Sequence, residues 1–387
     1  MPRYVIDEGA LRRNLEILKG VSDRADVRIL LAQKAFSCTA AYPLCAKYLA
    51  GTTASSLFEA RHGHDNFGGE THVFAPAYAP EEMDALLGIV DHIVFNSPRQ
   101  IEKFGELAKR RGVSVGLRVN PEVSVATTPA YDPCRPGSRL GTTRSSLDFR
   151  LAVSGSAFSV VSGLHFHCLC EQGLDELRQV LSGFEDRFGD ILPQMKWVNF
   201  GGGHHITRAD YDVDGLVALL LDFRARHPNL TVYLEPGEAV ALDAGTLESR
   251  VLEIQPAGED GVPNVILDTS AACHMPDVLE MPYTPRAVGA VRMEDGRSSA
   301  GNGGQGLRFA YRFGGPTCLA GDVIGTYLFE HPLAEGDVVE FEDMAIYTMV
   351  KNNTFNGIGL PDIVMRREDG SEEVLRRFSY DDFLCRL

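Results

Sequence analysis

"GLHFHCLCEQ", residues 163–172, places His165, His167, Cys168 and Cys170 almost side by side. Taken alone, the stretch has the ligand density of a metal site. Taken with the residues before it, as "VVSGLHFHC" (160–168), it is an apolar, β-branched run that ends in polar residues. The second reading decides the fold, because seven other runs share that form: "VRILLAQKA" (27–35), "GTTASS" (51–56), "THVFAPA" (71–77), "DHIVFNS" (91–97), "VSVGLRVNP" (113–121), "KWVNFGGG" (196–203) and "LTVYLEPGEA" (230–239).

Between most of these runs lie stretches with helical spacing, such as "ALRRNLEILKGV" and "SPRQIEKFGELAKRRG". Strand then helix, repeated eight times, predicts a (β/α)₈ barrel, placed here over residues 12–243. The interval 121–159, with its Gly/Pro-rich "TTPAYDPCRPGSRLGTT", reads as a loop insertion after the fifth strand. Beyond residue 243 the texture becomes "NVILDTS", "DVIGTYLF" and "DVVEFEDMAIYTMV", divided by Gly, Pro and Asp, which predicts an all-β domain of sandwich or barrel type. The strand-like opening "RYVID" joins it, so the β domain comprises 1–11 and 244–387.

Composition agrees with two globular domains: 387 residues exceed the ~250 to 300 at which a single core stops growing, with 44% hydrophobic and 23% charged residues. No run approaches the ~18 apolar residues a membrane span needs, and the start lacks a signal peptide's apolar core, so a cytoplasmic protein is expected. Eight cysteines without a CxxC pair read as reduced thiols, and no structural metal site is expected. A net charge of −16 argues against nucleic acid and anionic membranes and favours a cationic partner.

In such a barrel, catalytic groups project from the carboxyl ends of the strands. Those ends here carry Lys34, Arg118 with Asn120, His165 with His167, Gly201, Gly202 and Gly203, and Glu235. Alternation puts Leu30, Ala32 and Lys34 on the interior face, where a desolvated amine loses its proton easily and can form a Schiff base; the ordinary alternative is a lysine reaching solvent. His165 and His167 share one face, while Cys168 and Cys170 fall on the other, which splits the four apparent ligands. One histidine is expected to lie flat against a ring and the other to take a hydrogen-bonded core role; a purely structural pair is the alternative. The glycine run lets a backbone approach a phosphate, although a tight turn needs glycine as well. Glu235 can keep a heteroaromatic nitrogen protonated. A lysine, a phosphate loop, a stacking histidine and this carboxylate are together the needs of pyridoxal 5′-phosphate.

The arrangement of "AQKA", "GLHFH", "NFGGG", "EPGEA", "GGPTCLAGD" and "YTMVKNNTFNG" resembles the fold-type III pyridoxal-phosphate decarboxylases, the group of ornithine and diaminopimelate decarboxylases. "DTSAACHMPDVLEMPYTP" and "VNFGGGHHITR" are most similar to the carboxynorspermidine/carboxyspermidine decarboxylase branch. The resemblance implies that Lys34 carries the cofactor, His167 stacks on its ring, Glu235 pairs with its nitrogen, and Gly201 to Gly203 with Tyr347 hold its phosphate. It further implies a homodimer with shared sites, in which Cys318 serves the partner's site as the acid, and Asp322 as a ligand of the substrate amine. Asp277 and Glu280 are candidates for the remaining cations of a carboxylated polyamine. One departure stands out: relatives with E-P-G-R have arginine where this chain has Glu238, so the phosphate leans more on backbone N–H groups. A diaminopimelate or basic amino-acid decarboxylase, a non-catalytic cofactor-binding regulator and an alanine racemase are the competing expectations.

Overall fold

The computed structural model describes residues 1–154, 157–294, 297–298 and 308–387. The chain divides into two compact units, Arg12–Val240 and Met1–Leu11 with Ala241–Leu387.

The first unit is a closed barrel of eight parallel strands. With β1 assigned to Arg3–Asp7, the barrel strands are β2 (Arg28–Ala32), β3 (Gly51–Ala54), β4 (Glu70–Phe74), β5 (His92–Phe95), β6 (Ser114–Arg118), β7 (Val161–His165), β8 (Trp197–Asn199) and β9 (Thr231–Leu234). Each lies within or beside one of the eight predicted runs. The helices form where apolar spacing and caps coincide: Ser97 accepts the Gln100 N–H at the start of Pro98–Arg110, with proline in its first turn, and Ile101, Phe104 and Ala108 face the strands. The expected insertion is shorter than drawn from sequence, because a helix, Arg144–Ser154, occupies its second half.

Inside the barrel, packing is set by the chain's one tryptophan. A Cβ added to Gly163 would sit 2.0 Å from the Trp197 ring, and one added to Gly116 would sit 2.4 Å from it. Two strands therefore give up side chains so that β8 can insert an indole, whose Nε1–H donates to Ser114 Oγ at 2.9 Å.

The second unit holds a ten-stranded, mostly antiparallel sheet among the described residues. Its strands are β1, β10 (Gly245–Ile254), β11 (Asn264–Leu267), β12 (Ala290–Glu294), β13 (Arg297–Ser298), β14 (Phe309–Gly314), β15 (Val323–Phe329), β16 (Val338–Glu342), β17 (Asp362–Arg366) and β18 (Glu372–Arg376). They follow the order β13-β12-β15-β14-β11-β10-β1-β17-β18, with β16 on β10. The opening strand β1 runs antiparallel to β10 and parallel to β17. Tyr4, Leu247, Phe313, Tyr327 and Phe341 anchor this unit's core.

No helix among the described residues is long and apolar enough to cross a membrane.

Candidate active site

Strand β2 ends at Ala32, two residues earlier than the alternation argument assumed, and Lys34 lies in the turn that follows, closed by the Ala35 N–H to Ala32 carbonyl bond at 3.2 Å. The amine nevertheless lines a cleft with Thr53, Phe74, Arg118, His165, His167 and Glu235. Lys34 keeps solvent access through that cleft, while burial by its walls, and next the Arg118 cation, lower its pKa from the ordinary 10.5.

Strand β7 likewise stops at His165, so His167 is placed by the loop and not by strand alternation. The backbone N–H of Gly202 donates to its Nδ1 at 3.0 Å. That bond fixes the tautomer: the proton belongs on Nε2, which faces the Lys34 amine at 3.5 Å. Burial, with the Lys34 and Arg118 cations, holds this imidazole neutral.

Glu235 follows β9 and is buried. Its Oε1 accepts from Asn199 Nδ2 at 2.8 Å and its Oε2 meets His165 Nε2 at 3.1 Å. Burial alone would raise its pKa; His165, His72 and Asn199 prevail and hold it at about 2, so the carboxylate is ionised. Asn199 also accepts the Gly201 N–H at 2.8 Å, tying the carboxylate to the glycine loop.

The glycines leave no room for side chains. Gly201 and Gly203 have φ of +68° and +91°, and a Cβ on Gly202 or Gly203 would lie 2.1 Å from the carbonyl oxygen of Glu235 or Leu169. Glu238, in the place where arginine was expected in relatives, reaches His205 Nδ1 at 3.3 Å.

Arg118 was noted at a strand end without a role. It is buried, its guanidinium lies 4.4 Å over the Phe74 ring, and it donates to the His167 carbonyl at 3.0 Å. Asn199, quoted only as the start of "NFGGG", was missed; a polar residue closing an apolar strand was its signal.

The remaining predicted residues belong to the other unit. Asp277 and Glu280, on the short helix Asp277–Glu280, both bind the ammonium of Lys351. Asp322 is buried and accepts from the Ala272 N–H at 3.2 Å and the Thr317 hydroxyl at 2.6 Å. Cys318 is exposed, its backbone N–H donating to Asn356 Oδ1 at 2.9 Å. Tyr347 adopts a left-handed backbone with φ of +49°.

Residues 4–345 match the family profile described as pyridoxal-dependent decarboxylase, C-terminal sheet domain. The chain belongs to the pyridoxal-dependent decarboxylases. Across 100% of its length this decarboxylase is 40% identical to the carboxyaminopropylagmatine decarboxylase of Synechocystis, covering 95% of that protein. It is equally 40% identical to the carboxynorspermidine/carboxyspermidine decarboxylase of Campylobacter jejuni, covering 98% of it. The crystal structure of C. jejuni carboxynorspermidine decarboxylase complexed with norspermidine superposes with a TM-score of 0.89 at 39% identity, each chain covered completely.

The cofactor of the decarboxylase is pyridoxal 5′-phosphate, and the barrel residues fit it by their own chemistry. An amine partly stripped of water, a flat imidazole fixed in orientation, an ionised buried carboxylate and a side-chain-free glycine loop converge on one end of the barrel.

Proposed function

We propose that this decarboxylase releases carbon dioxide from a carboxylated linear polyamine, of the carboxynorspermidine and carboxyspermidine class, in polyamine biosynthesis. The full-length 40% identity to two enzymes named for carboxylated polyamines carries the reading.

When bound, pyridoxal phosphate supplies the electron sink for the pair left behind by departing carbon dioxide. Lys34 Nζ would hold the cofactor covalently, a role suited to an amine whose proton affinity its surroundings lower. Glu235, kept ionised by Asn199 and His165, holds a proton on the pyridine nitrogen. His167 supplies the stacking face, locked by the Gly202 N–H. Gly201, Gly202 and Gly203, with Tyr347, hold the phosphate, and the His205 partnership of Glu238 keeps that carboxylate engaged away from it. The reaction consumes one proton at the carbon that loses carbon dioxide, and Cys318 Sγ supplies it.

A carboxylated polyamine presents further cations beyond the reacting carbon, and these require carboxylates. Asp277 and Glu280 already bridge one ammonium, that of Lys351, and a substrate ammonium makes the same pair of contacts. Asp322 binds the amine nearer the reacting end. The active form is a cytoplasmic homodimer with shared sites; the exposure of Cys318 supports the sharing, and eight cysteines outside any disulfide support the compartment.

The test is carbon dioxide release from carboxynorspermidine, carboxyspermidine, carboxyaminopropylagmatine, diaminopimelate and ornithine, each given to the loaded protein. Release confined to the first three is expected. Turnover chiefly of diaminopimelate or ornithine would overturn the substrate class, and no turnover with cofactor bound at Lys34 would favour a regulator. Since one methylene is worth only ~1 to 3 kcal/mol, the first two substrates should differ in kcat/KM by less than about 200-fold.

A further inference from the structure

The end of the barrel opposite the cofactor cleft carries a second polar cluster, whose residues do not line that cleft. Glu70 opens β4, His72 follows two residues later on the same face, and His92 opens β5 as the register partner of His72. One donor atom from each of the three lies within 4.8 Å of the other two. The imidazoles stack with centroids 4.0 Å apart and planes 8° from parallel. We propose that Glu70, His72 and His92 form a binding site for a divalent transition-metal ion of the zinc class.

The donor set selects that class. Two imidazoles and a carboxylate suit zinc, cobalt or nickel, whereas calcium and magnesium prefer oxygen throughout. Ligands of a tetrahedral zinc lie ~2.1 Å from the ion and so roughly 3.4 Å from one another. Joint ligation also requires the half-buried His92 ring to turn out of the stack, because the in-plane lone pairs of parallel rings do not converge on one ion.

An independent observation points the same way. Nδ1 of His72 and Nδ1 of His92 are both buried without a hydrogen-bond partner, and His72 is only 1% exposed. Buried polar atoms are rarely left so; the unused His92 nitrogen is available to an ion, while His72 would bind it through Nε2, the atom that now meets Glu70.

The surroundings supply what a metal site needs beyond its ligands. Glu70 pairs with Arg28 through one oxygen and with His72 through the other, so Arg28 can retain its oxygen while the ion takes the other. Tyr233 lies 4.8 Å from the His72 ring and Trp197 lies 5.0 Å from the His92 ring, so both imidazoles sit among aromatic neighbours. Glu70 and His92 are half-buried and the Arg28 side chain is 55% exposed, which leaves an entry path. At this end of a barrel, residues serve stability and not chemistry, so the ion would clamp β4 to β5.

The experiment titrates chelator-treated holoenzyme with Co²⁺, following its visible ligand-field absorption, then displaces it with Zn²⁺. Stoichiometric binding and a raised thermal midpoint are expected, with affinity falling by ~10-fold or more in His92→Gln and in Glu70→Gln. Cofactor absorbance in the same samples reports whether each variant is folded. Absence of a cobalt band in the wild-type protein overturns the proposal without any variant. So does a titration of equal affinity in both folded variants, since the ion would then sit on thiols or the surface.

Discussion

At the level of single residues, the site works by fixing which atoms carry protons. Glu235 is ionised because Asn199 and His165 compensate its burial. Glu235→Gln keeps the shape and removes the charge, so kcat should fall by on the order of 100-fold or more while cofactor absorbance persists; steady-state kinetics beside a spectrum checks both. Gly203→Ala forces a Cβ onto a residue at φ of +91° and against the Leu169 carbonyl. Cofactor dissociation, measured by dialysis, should increase by roughly 10-fold, beyond any change in the folded fraction. The lysine, both histidines and Glu235 were legible in sequence because each is a polar residue closing an apolar run. The roles of Asn199 and Arg118 were not, because Glu235, Phe74 and the His167 carbonyl meet them only across the closed barrel.

Among elements, packing and protonation set separate limits in the two units. Strand β7 must keep Gly163 bare so that Trp197 fits. Gly163→Ala should cost at least ~1 to 3 kcal/mol through overpacking, read from Trp197 fluorescence in a urea titration. In the β unit, His274 Nδ1 faces the Ser270 N–H and the Thr269 hydroxyl, while its Nε2 faces the Gly359 carbonyl, which defines a neutral ring. Burial lowers its pKa from 6.5 to about 4. The unfolded chain therefore takes up the proton first: stability is full above pH ~6.5 and declines as pH falls towards 4, by up to about 3 kcal/mol. Amide hydrogen exchange in β1 and β14 should accelerate across that interval, and His274→Gln should flatten the response. The eight barrel strands were legible because each is a short apolar run between amphipathic helices. Their ends were less so: β2 and β7 stop before Lys34 and His167, since turn hydrogen bonds take over from the ladder there.

For the molecule as a whole, the dimer proposal makes a sharp prediction. Lys34→Ala and Cys318→Ala chains should each be nearly inactive alone. Mixed and reassociated, half of the dimers are heterodimers with one intact shared site, so activity should return to roughly a quarter of wild type. No recovery, with heterodimers shown by mass, would sink the shared-site arrangement and leave each chain with its own acid.

Sequence alone determined the barrel, the sheet domain and the chemical kind of the site, because strand periodicity and polar strand ends are local properties of neighbouring residues. It also marked β1 as a strand of the far domain. The tertiary structure decided the rest: which histidine holds Glu235, why two glycines face one tryptophan, that Lys351 binds both Asp277 and Glu280, and that Glu70, His72 and His92 meet at the barrel's other end. Each of these joins residues distant in sequence, and only the closure of eight strands and the pairing of a sheet bring their atoms within hydrogen-bonding or ligating reach.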